Sequence, residues 1–92
     1  MKFKVNYYDI DSDKAVEKDC CNIDYNPVDR TFSFTPVDDP PRIYKSVDID
    51  NPIVSIYKNE LGIRIVVNGY QRIKDGGYWR TTTTIRSVDE EN

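Results

Sequence analysis

The sequence predicts an all-β protein: a small single-domain, meander-rich barrel or sandwich of six or seven strands. Three observations carry that expectation. The 92 residues include one Ala (Ala15) and one Leu (Leu61), so the best apolar helix formers are nearly absent. Ten Ile, nine Val, seven Tyr and six Thr stand in their place, residues that suit a pleated, half-buried surface. Short alternating segments are punctuated by Asn-Pro, Asp-Gly-Gly and Asp-rich stretches, which read as turns. A chain of this length holds one core, and a 38% hydrophobic content is enough to build it. One domain over residues 1–88 and a frayed acidic tail over 89–92 (DEEN) follow.

The elements follow in order. Residues 2–8 alternate, with Phe3, Val5 and Tyr7 on one side, and form the first strand. Residues 9–14 (DIDSDK) form a polar loop. Residues 13–20 read equally as strand or as one short helical turn. Residues 21–35 form a hairpin around Asn26-Pro27-Val28-Asp29, with Pro27 supplying the fixed φ of a type I turn. That loop pairs Tyr25 with Arg30, Ile23 with Phe32 and Cys21 with Phe34, and it puts Cys21 on the core face. Residues 37–42 (VDDPPR) are a loop or edge, because two prolines cannot sit in a central strand.

A strand over 43–49 then ends at an Asn51-Pro52 turn. Residues 53–57 are apolar on both faces and read as a central strand. After a turn at 59–62, residues 63–74 and 78–88 form a second hairpin about Asp75-Gly76-Gly77. A three-residue loop there pairs Ile73 with Trp79, Val67 with Ile85 and Arg72 with Arg80.

Adjacent Cys20 and Cys21 point to opposite faces of a strand and are poorly placed for a mutual disulfide. No run of about 20 apolar residues is present, and residues 1–13 lack a signal-peptide core. The expectation is a cytoplasmic protein, in the host cell if phage-encoded, with reduced thiols.

Net charge is −3, unevenly distributed. Residues 9–50 carry eleven acids and five bases, whereas residues 51–88 carry two acids and six bases. Two surfaces are therefore candidates. The acidic one comprises Asp9, Asp11, Asp13, Asp38, Asp39, Asp48 and Asp50. Asp9, Asp11 and Asp13 have the D-x-D-x-D opening of a calcium loop, but Lys14 stands at the glycine position and Cys20 at the terminal glutamate position. That excludes an EF-hand, and no metal or cofactor is expected. The cationic surface comprises Arg64, Tyr70, Arg72, Arg80 and Arg86 on the outer side of the second hairpin. Like charges opposed across strands are destabilising and call for an anion.

The chain has no His, which removes His-based triads, general bases and zinc sites. Its cysteines lack an evident activating base, and Asp75-Gly76-Gly77 is explained as a turn. The expected function is non-catalytic protein binding. The concrete expectation is a small acidic inhibitor of the anti-CRISPR or anti-defence kind, from a phage or mobile element, blocking a basic nucleic-acid-binding host protein. Two alternatives stand beside it. One is single-stranded nucleic-acid binding by the cationic hairpin. The other is a structural or self-assembling virion component. The protein is expected to be a monomer or weak oligomer with no membrane partner.

Overall fold

The computed structural model describes residues 2–37 and 45–88 of the chain. They form six strands: β1 (Lys2–Asp9), β2 (Lys14–Asn26), β3 (Thr31–Pro36), β4 (Val47–Asn59), β5 (Gly62–Arg72) and β6 (Tyr78–Val88). The strands pair antiparallel in chain order, and β6 returns to β1, closing a barrel. Closure puts Lys2 beside Val88. No described residue is helical, so the short helical turn expected near residues 13–20 is strand: Lys14 to Cys20 continue the β1 ladder from Asp9 to Phe3.

Inward alternation builds the core. Val5, Tyr7, Cys20, Phe32, Phe34, Ile49, Val67 and Ile85 are buried, and Tyr7 meets Phe34 edge-to-face at 5.0 Å between ring centres. Two bulges keep long strands in step with this core. On β2 the ladder slips between Cys21 and Asp24, where Asn22 takes a φ of 54°. Before the slip the even residues Val16 and Cys20 face inward, and after it Ile23 packs on the core. On β4 the slip lies between Asp50 and Ile53, with Asn51 at φ 48°. Asn51 N–H donates to Arg30 O at 2.9 Å, which ties the bulge to the β2–β3 turn. Asn tolerates this left-handed conformation better than most residues.

These bulges correct several expectations. Asn51-Pro52 is a bulge inside one thirteen-residue strand, not a turn between two. That strand begins at Val47; the expected start at 43–44, the loop residues 38–42 and the tail 89–92 lie outside the described residues. Among the described residues, 53–57 are not central, since their ladder runs to β5 alone. Cys20 is buried and Cys21 exposed, the reverse of the expected placement, because the Asn22 bulge inverts the alternation.

The β2–β3 loop is Pro27 to Arg30, one residue later than expected. Asn26 Oδ1 accepts the amides of Val28 and Asp29 at 3.0 and 3.1 Å, and Arg30 takes φ 53°. Tyr25 therefore pairs with Phe32, not Arg30. The β5–β6 ladder closes at Arg72↔Tyr78. Ile73 N–H donates to Gly77 O and Gly76 N–H to Ile73 O, both at 2.9 Å, making a five-residue loop where three were expected. Each pair is displaced by two residues, so the faces are preserved while Arg72 no longer opposes Arg80.

Gly69 faces inward between Val67 and Gln71, where a Cβ would collide with Ile49 Cγ2 and lie 2.9 Å from Asp50 O. The absence of a side chain lets the β4 bulge close onto β5.

Candidate functional site on the outer face of β5 and β6

The displaced register fixes what the outer face presents. On β5 the outward residues are Arg64, Val66, Asn68, Tyr70 and Arg72. Opposite them on β6 stand Arg86, Thr84, Thr82, Arg80 and Tyr78. At the loop end the guanidinium of Arg72 lies 5.5 Å from the Tyr78 ring centre, and that of Arg80 lies 5.9 Å from Tyr70. In the middle Thr82 Oγ1 donates to Asn68 Oδ1 at 2.7 Å. At the far end Arg64 opposes Arg86 directly. Arg86 reaches across β1 to Glu17, Nη2 to Oε1 at 2.9 Å, which relieves part of that repulsion. Lys4 stands beside Arg86 on β1 and lies 3.8 Å from Asp19. Lys4, Asn6, Glu17, Arg64, Thr84 and Arg86 enclose a shallow depression of about 240 Å³.

Neither β5 nor β6 contains an Asp or Glu. Among the described residues no carboxylate forms an ion pair with Arg64, Arg72 or Arg80. All five residues expected from the sequence for the cationic surface, four Arg and Tyr70, thus share one face. Tyr78 and Lys4 join them. Tyr78 was legible as outward-facing, but only the true register makes it the partner of Arg72.

The acidic residues are dispersed by comparison. Asp9 organises the β1–β2 turn: its carboxylate accepts from Ser12 Oγ at 2.7 Å and from the amides of Ser12 and Asp11 at 3.3 and 3.4 Å. Partial burial would raise its pKa, but these hydrogen bonds outweigh that and hold it below the usual value. Asp13 sits at φ 56° in the same turn and accepts from the Tyr8 hydroxyl at 2.6 Å, which pushes the phenol pKa up. The D-x-D-x-D spacing thus serves a turn, and among the described residues no group of three His, Cys, Asp or Glu is placed to hold a metal ion.

Asp48 and Asp50 lie on the outer face of β4, with Asp50 directly opposite Tyr70. Asp9, Asp11, Asp48 and Asp50 do line one open barrel mouth of about 600 Å³, but Lys18, Lys45 and Arg72 line it too. The rim is mixed in sign. Asp38 and Asp39 lie outside the described residues.

Among the described residues no helix is long and apolar enough to cross a membrane. No protein-family model, curated protein or solved structure matches this chain.

Proposed function

We propose that this protein is a non-catalytic binding module that takes single-stranded nucleic acid on the outer face of β5 and β6. The observation that carries the reading is an acid-free sheet face bearing four Arg and two Tyr, with Arg72–Tyr78 and Tyr70–Arg80 paired across the strands. Arg supplies the charge that replaces counterions on a phosphate backbone. Aromatic and guanidinium planes stack bases without regard to sequence. Asp50 flanks this face on β4, opposite Tyr70, and the Glu17 and Asp19 carboxylates sit at its other margin on β2, beyond β1.

The test is fluorescence anisotropy with a labelled oligothymidylate across a salt series. Binding with a log–log salt slope of roughly −3, four Arg at about −0.7 per neutralised phosphate, supports the reading. Affinity independent of salt, or no binding at low salt, overturns it.

A second reading rests on the convergence of Asp9, Asp11, Asp48 and Asp50 on one rim. There the protein is a small inhibitor, of the kind phages and mobile elements use against host defence, docking its acidic rim on a basic protein. Reversal of Asp48 and Asp50 to Lys discriminates the two: it abolishes inhibitor-type protein capture and leaves or strengthens oligonucleotide binding.

A further inference from the structure

We infer that the free edge of β4 at residues 53–57 is a self-complementary docking edge, on which a second copy of this chain adds its own β4 antiparallel about a two-fold axis at Ser55. The inference is independent of the nucleic-acid reading.

The edge arises from unequal strand lengths. β3 pairs with β4 only from Thr31↔Asp50 to Phe34↔Val47. β4 runs on to Asn59 with β5 as its partner. Among the described residues nothing pairs with the other side of β4 beyond Asn51. Edges of this kind are normally blunted by proline, by charge or by brevity. Here Ile53, Val54, Ser55, Ile56 and Tyr57 carry none of those devices. Pro52 and Lys58 flank the segment without interrupting it.

The same hairpin leaves an unusual amount of apolar surface uncovered. Ile53 is 61%, Ile56 68%, Tyr57 57%, Leu61 89% and Ile63 45% exposed. At roughly 200 Å² for a large open side chain, these present on the order of 600 Å². They are divided between the two faces of the β4–β5 hairpin, Ile53 and Tyr57 outward and Ile56 and Ile63 on the inner side, so a strand added at this edge extends both apolar faces at once.

The pattern around Ser55 selects the occupant. A two-fold axis at Ser55 pairs Ile53 with Tyr57 of the second copy on the outer face, and Val54 with Ile56 on the inner face. Every pair flanking the axis is apolar against apolar, and each occurs twice, as isologous symmetry requires. Lys58 meets Pro52 at either end, so no like charges oppose. Moving the axis one residue to Ile56 would place Val54 opposite Lys58 and Ile53 opposite Asn59, losing the match.

Sedimentation over a concentration series tests this on the intact protein. The expected result is a rise from 10.7 kDa toward twice that mass. The double variant I53K/Y57K alters two exposed side chains and should weaken the dimer at least ~100-fold, leaving a folded monomer by circular dichroism. A second measurement fixes the register. In a C21S background, S55C should oxidise to a covalent dimer because the two positions face one another across the axis, whereas I56C should not. A wild-type monomer up to about 1 mM, a dimer undiminished in I53K/Y57K, or cross-linking at 56 in place of 55 would overturn the inference.

Discussion

Tyr70 and Arg80 face one another across β5 and β6, with the guanidinium carbon 5.9 Å from the centre of the phenol ring. The pairing converts a prospective clash of like charges into a cation–π contact. It leaves Arg64 opposite Arg86 as the one direct Arg–Arg pair on that ladder, and there Glu17 supplies a counter-charge. Arg80 is held near the sheet by the ring, so less conformational freedom is lost when an anion arrives.

Truncating this pair gives the sharpest separation of stacking from charge. Tyr70→Ala should cost oligonucleotide binding ~1–3 kcal/mol, with the salt slope unchanged. Arg80→Ala should lower the magnitude of the slope by about 0.7. Because the two side chains touch, the double variant should lose less than the sum. Anisotropy at several salt concentrations reads all three.

Thr83 is fully buried on β6, and its Oγ1 has no hydrogen-bond partner. Valine has nearly the same shape without the hydroxyl. Thr83→Val should therefore raise stability by about 1 kcal/mol, relieving an unsatisfied polar atom. Urea unfolding midpoints at constant m-value measure it.

Gly69→Ala should do the opposite. Its Cβ would meet Ile49 Cγ2 and the Asp50 carbonyl, and the backbone oxygen cannot swing aside. A loss of roughly 2–3 kcal/mol is expected, in the range of overpacked cores. Gly76→Ala provides the contrast: it meets no atom within 4 Å, although its φ of 93° still strains the turn.

The cysteines should differ in reactivity. Burial, with Cys21 and Asp19 adding to it, pushes the Cys20 thiol up to about 12. Cys21 is exposed. At pH 8 an alkylating reagent should label Cys21 in the folded protein and Cys20 only after unfolding. Above pH 9 the unfolded Cys20 loses its proton while the folded one keeps it, so the unfolded state binds fewer protons. Stability should fall as pH rises from about 9 toward 12, and Cys20→Ala should remove that part of the slope. Thermal unfolding at stepped pH checks the sign.

Composition made the fold class legible, because residues such as Ile, Val, Tyr and Thr leave little to build a helix with. Outer and inner faces of β5 and β6 were legible too, since an error of two residues in register leaves side-chain parity intact. Register itself was not. It depends on Asn26 capping its turn, on Arg30 taking a left-handed φ and on the Ile73–Gly77 closure, and local sequence pattern does not encode these choices strongly. The two bulges were invisible for the same reason, and each inverted a reading downstream: Cys21 for Cys20, and a turn for a continuous strand at Asn51. Arg64, Tyr70, Arg72, Arg80 and Arg86 keep a common outward face because they lie on strands free of bulges. Of the acidic set, Asp9, Asp11, Asp48 and Asp50 line one rim of mixed sign, Asp9 and Asp13 also hold the β1–β2 turn, and Asp38 and Asp39 lie outside the described residues.

The pairing of Lys2 with Val88 makes the barrel a nearly circular object. Among the described residues the one ladder between elements distant in the chain is β1 with β6, and every other seam joins strands consecutive in the chain. Joining those ends through a short linker and opening the chain at Glu60-Leu61 would turn the one non-local seam into a local one, and the β4–β5 seam into the new non-local one. The same barrel would then be assembled with its closing step moved to the seam between β4 and β5. For the same reason, the unit can be spliced into a host chain at a single surface position, both connections leaving from adjacent strands.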